Sequence, residues 1–78
     1  MPISPAQCRA GRALITWSQD QLSVASKVAK ATIANFEVAK RSPYDRTLAD
    51  IQAALEAAGV IFIDEDAEGP GVRLRKAG

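Results

Sequence analysis

Twice within its first 21 residues the chain sets a serine three positions ahead of a glutamine, Ser4 before Gln7 and Ser18 before Gln21. In a capping box the serine hydroxyl accepts from the third helical N–H while the glutamine side chain reaches back to the serine N–H, so each pair marks a helix start. Pro5 falls at the first helical position, where a missing N–H costs nothing, and Ile3 and Cys8 hold the positions of a hydrophobic staple. The first helix is expected to run to about Ile15, with Ala6, Ala10, Ala13, Leu14 and Trp17 facing the core and Arg9, Arg12 and Thr16 facing water. The second starts at Gln19, turns Leu22 and Ala25 inward and ends near Ser26 or Lys27.

The apolar pattern restarts at Val28, Ile33 and Phe36, which predicts a third helix from Ala29 or Lys30 to Val38. Two short helices joined by a tight turn have the form of a helix-turn-helix. After Ser42 and Pro43, Asp45 is placed to cap a fourth helix with Leu48, Ile51, Leu55 and Ala58 on one face, and Gly59 to stop it in a left-handed conformation. "VIFID" and "VRLRK" read as strands around the acidic, glycine-rich "DEDAEGPG", a β-hairpin over residues 60–75 with a long tip.

Seventy-eight residues make one small domain, whose limited core a second copy could complete. The chain has one cysteine and no histidine, which argues against zinc sites, internal disulfides and histidine-paired nucleophiles, so neither an enzyme nor a cofactor is expected. No apolar run approaches a membrane span and no signal-peptide pattern opens the chain, so a cytoplasmic location without membrane partners is expected. The net charge of +1 conceals a division: residues 27–46 carry five cations against Glu37 and Asp45, residues 47–68 carry only carboxylates, and Arg73, Arg75 and Lys76 follow.

The third helix divides into two faces. Ile33, Phe36 and Glu37 share the inner sector, while Lys30, Ala31, Ala34, Asn35 and Val38 lie opposite, with Thr32 on the flank. In the major groove of DNA, base edges are read by amides, cations and small apolar contacts with thymine methyls. Asn35 suits adenine, Lys30 suits guanine, and Ala31 or Ala34 suits a methyl group. A polar helix face that is merely solvated would look the same.

In "WSQDQLSVASKVAKATIANFEVAKRSP" the serine cap, Gln19, Leu22, Val28, the Thr32–Ile33 pair, the Phe36–Glu37 pair and the Lys40–Arg41 pair before Ser-Pro stand in one register. From about Ala10 to Ala58 the chain resembles the Cro-like, or XRE-family, helix-turn-helix regulators. The resemblance implies a mainly α fold of four helices in residues 1–59, followed here by a C-terminal β-hairpin in residues 60–78 in place of the family's fifth helix. It implies double-stranded DNA as partner, with Gln19 on phosphate, Lys30, Ala31 and Asn35 on bases, Thr32 on either, and Lys40 and Arg41 on the backbone. Glu37 is expected to bridge polar groups between helices. Lys27 and Ala39 stand where the family usually has glycine, so they either accept a left-handed backbone or the local turns differ, and Ala29 replaces a common serine cap.

The hairpin leaves apolar side chains for a partner. A homodimer formed through Val60, Ile61, Phe62, Ile63, Val72 and Leu74 is expected, binding a palindromic or nearly palindromic operator. Arg73, Arg75 and Lys76 would extend the DNA contact, pair with the acidic tip or remain solvated. The function expected is a sequence-specific transcriptional regulator, acting as a repressor. The alternative is a protein-interaction module of the same fold, an antitoxin or antiactivator with a second protein as partner.

Overall fold

The computed structural model describes residues 2–76; Met1 and residues 77–78, at the ends of the two expected segments, lie outside the described residues. Four helices, α1 (Pro5–Leu14), α2 (Gln19–Ser26), α3 (Lys30–Glu37) and α4 (Asp45–Ala57), precede strands β1 (Val60–Ile63) and β2 (Gly71–Leu74). Both capping boxes form. The Ser4 hydroxyl accepts from the Gln7 N–H at 3.1 Å and Gln7 Oε1 accepts from the Ser4 N–H at 2.9 Å; Ser18 and Gln21 do the same at 3.1 and 2.7 Å.

The core is drawn from every helix and from the first strand. Leu22 of α2, Ile33 of α3 and Ile51 and Leu55 of α4 are fully buried, with Val60 of β1, Val28, Phe36 and Leu48 beside them. Ile3 and Cys8, the expected staple, both enter this cluster. Gly59 stops α4 with φ +109°, as its place after the last apolar residue predicts.

The strands pair antiparallel with Val60 opposite Leu74 and Phe62 opposite Val72, so these four share one face. Val60, Phe62 and Val72 pack on the helical core. Ile61 and Ile63 lie on the other face, opposite Arg73 and Gly71. Of the six hairpin residues expected at a dimer interface, Val60 at 1% exposure is taken up by the chain's own core and Phe62 and Val72 pack against it, whereas Ile61 and Leu74 remain exposed.

The inner face of α1 also differs from expectation. Gln7, Cys8 and Gly11 are the buried residues of this helix, while Ala6, Ala13 and Leu14 are exposed. The hairpin decides this, because it lies close against Gly11: a Cβ there would meet Val60 Cγ1 at 3.4 Å and Phe62 Cζ at 3.6 Å. Gln7 follows the same face, and its Nε2 donates to the carbonyls of Ile63 and Gly71, each at 3.1 Å, tying the loop end of the hairpin to α1. In α2, Ser26 rather than Ala25 is buried, its hydroxyl donating to the Leu22 carbonyl at 2.7 Å. Tyr44, not Asp45, is the N-cap of α4, and it makes no side-chain capping bond.

Lys27 and Ala39 do adopt left-handed backbone, with φ 61° and 59°, and Thr16 joins them at 54°. Each such non-glycine residue costs on the order of 1 kcal/mol. Lys27 ends α2 and Ala39 follows α3, so the strain is accepted on both sides of the third helix.

Candidate nucleic-acid interface

Helix α3 is held from behind by a buried carboxylate. Glu37 is 2% exposed, and Arg12 reaches it from α1 with two bonds, Nε to Oε2 at 2.7 Å and Nη2 to Oε1 at 2.6 Å. Gln19, at the start of α2, donates from Nε2 to Oε1 at 2.9 Å, and Cys8 Sγ lies 3.1 Å from Oε2. Arg9 donates to the backbone carbonyl of the same glutamate. One side chain thus fixes three helices, the bridging role expected for it.

Burial alone would push the Glu37 carboxyl up; the hydrogen bonds from Arg12, Gln19 and Cys8 and the guanidinium charge outweigh it and hold the carboxyl below its ordinary value. Geometry agrees, since a fork of two short charge-assisted bonds is the stronger form of such a pair. The Cys8 thiol moves the opposite way. Burial, then its bond to Glu37 and the nearby negative charge, raise its pKa, leaving a protonated donor.

Arg9 and Arg12 were expected to face water; Arg9 is exposed, reaching only the Glu37 backbone carbonyl, whereas Arg12 is drawn in as the partner of the carboxylate. The signal that points to Arg12 is Glu37 itself: a carboxylate in the same helical sector as Ile33 and Phe36 needs a cation from a neighbouring element.

With Ile33, Phe36 and Glu37 turned inward, the other face of α3 is left outward. Lys30 and Ala31 are exposed, and Thr32, Ala34 and Asn35 are half-buried. Among the described residues the Asn35 carboxamide has no intramolecular hydrogen-bond partner, while the Asn35 backbone carbonyl accepts from the Lys40 and Arg41 N–H groups at 2.8 and 3.3 Å. Those contacts fold Lys40 and Arg41, both exposed, back over the end of α3. Lys30 Nζ meets Asp20 at 3.2 Å, with side chains 57% and 71% exposed. An ion pair so open to water contributes about 0–1 kcal/mol, so Lys30 can leave it for another anion.

Six of the seven residues expected to contact DNA therefore lie on α3 or on the turn that follows it. Gln19 is set apart, its amide directed inward onto Glu37. At the far end of the molecule, Arg75 donates to the Glu56 carbonyl at 3.4 Å; among the described residues no ion pair joins Arg73, Arg75 or Lys76 to the acidic tip.

No family model matches the chain, and no curated protein matches it. Among the described residues there is no helix long and apolar enough to cross a membrane, and no cluster of metal-ligating side chains.

Proposed function

We propose that the protein is a sequence-specific DNA-binding transcriptional regulator of the Cro-like helix-turn-helix kind, a repressor that binds a palindromic or nearly palindromic operator as a homodimer. The observation that carries this reading is the outward face of α3. It presents an ammonium, a carboxamide without an internal partner and small apolar groups, on a helix whose opposite face is locked by Glu37 and buried through Ile33 and Phe36. Side chains of this size allow a helix to approach base edges, and these chemical types can read them.

In this reading Lys30, Ala31, Thr32 and Asn35 face the bases, and Lys40 and Arg41 hold phosphates beyond the helix. Gln19 acts through Glu37, fixing the angle between α2 and α3. A dimer through the outer face of the hairpin, Ile61 and Ile63, has to set two copies of α3 about 34 Å apart to match successive major grooves.

A mobility shift with duplexes selected from a random pool tests the reading. Lys30→Ala and Asn35→Ala should each cost roughly 1–3 kcal/mol at particular base pairs, whereas Arg41→Ala should weaken binding to all sequences alike. Three variants that bind as the parent protein does would refute the assigned face. The exposed Ile61 and Leu74 also favour a second reading, a module whose hairpin docks on a different protein. Co-purification of a stoichiometric unrelated chain, with no duplex enriched by selection, would establish that alternative instead.

A further inference from the structure

An open cleft of about 520 Å³ runs between the start of α3 and the start of α4, lined in part by Lys27, Thr32, Arg41, Tyr44, Thr47 and Asp50. Lys27 comes from the turn before α3 and Arg41 from the turn after it, so the cleft gathers cations from both sides of that helix. Both side chains are exposed, and among the described residues neither takes part in an ion pair, with Asp50 or any other carboxylate. The hydroxyls of Thr32, Tyr44 and Thr47 add neutral donors along the walls.

Lys27 stands out because it is strained without an internal return. Its φ of 61° is one that glycine would adopt freely, yet its side chain neither packs in the core nor makes a hydrogen bond among the described residues. Two uncompensated cations in one cleft, beside hydroxyl donors and next to the outward face of α3, match the chemistry of a phosphodiester. We propose that Lys27 is a DNA-backbone contact, its ammonium and the Arg41 guanidinium together holding one phosphate of the duplex at the mouth of this cleft. The proposal rests on the DNA-binding reading above and adds a residue to it: glycine's ease at this turn is exchanged for a charge.

Two substitutions separate charge from strain. Lys27→Gly removes both and Lys27→Gln removes the charge alone, so Lys27→Gly should raise Tm, on the order of 4 °C, and Lys27→Gln should leave it near the parent value. Binding is measured by fluorescence anisotropy on a labelled random-sequence duplex across a salt series. Each variant should lose about 0.9 from the slope of log K against log salt, which at 0.1 M is a loss of about eight-fold in affinity. Lys27→Arg should keep the slope. If both charge-removing variants retain the parent slope while Arg41→Ala lowers it, Lys27 is not a contact and the DNA-binding reading survives. If the parent protein itself shows no salt-dependent binding, both fall together.

Discussion

Helix α3 and the hairpin are both small elements laid on one core, and they finish their surfaces in opposite ways. The third helix buries two large hydrophobes, adds a carboxylate gripped by two other helices, and leaves an outward face of small or polar groups, with one aliphatic side chain, Val38, exposed at its end. The hairpin buries Val60, is tethered by the Gln7 amide, and leaves Ile61 and Leu74 in water. A face whose outer side is polar needs nothing further to be stable in water, so its composition is free to serve recognition. A face that leaves aliphatic groups outside gains by being covered. The same chain thus carries an outward helix face of small and polar groups and a hairpin that leaves aliphatic side chains in water.

The sharpest way to break this contrast is Glu37→Ala. Removing the carboxylate leaves the Arg12 guanidinium without its partner and Gln19 and Cys8 without their acceptor, and breaking such a buried pair costs roughly 3–5 kcal/mol. Urea denaturation should show that loss at neutral pH. Acid should reproduce part of it. Because the folded-state pKa of Glu37 is depressed, its contribution is complete above the ordinary glutamate value of about 4.3 and is lost as pH falls through the lower folded value. Glu37→Gln should start less stable and flatten that acid limb; an unchanged limb would show that other carboxylates govern it.

Next in size is Gln7→Ala, which removes half of a capping box and two bonds to the hairpin carbonyls. A loss of about 1–3 kcal/mol is expected, with amide exchange accelerated in β1 and β2 more than in α3. Ala39→Gly should instead stabilise by up to about 1 kcal/mol, since φ 59° suits glycine, although the greater freedom of the unfolded chain offsets part of the gain. The smallest change in protomer stability belongs to Ile61→Ser, within about 0.5 kcal/mol by denaturation at low concentration. Sedimentation should nonetheless show its dimer dissociating; a parent protein that sediments as a monomer at micromolar concentration would refute the proposed interface.

Four helices and a hairpin could be read from the chain because caps, glycine stops and apolar spacing are local signals. Where the reading failed, the deciding contacts were distant in sequence. The buried face of α1 carries a glutamine and a glycine, which an apolar stripe cannot reveal; Gly11 is inside because the hairpin comes close to it, and Gln7 because two strand carbonyls need a donor. Arg12 looked solvated for the same reason, its partner lying 25 residues on. On α3, by contrast, one periodicity sorted Ile33, Phe36 and Glu37 from Lys30 and Ala31, so the composition of the outer face was legible before any contact was known. The left-handed backbone at Thr16 had no counterpart in the sequence pattern.

Cys8 turns the Glu37 cluster into something that can be timed. It is the chain's one cysteine, fully buried, and its sulfur sits where α1 meets the carboxylate. A thiol reagent can reach it only when that junction opens, so at saturating reagent the labelling rate becomes the opening rate itself. The native chain therefore carries a built-in clock at the joint behind α3, and repeating the reaction with the duplex proposed to bind the outer face would show, without any introduced probe, whether it slows the parting of the helices.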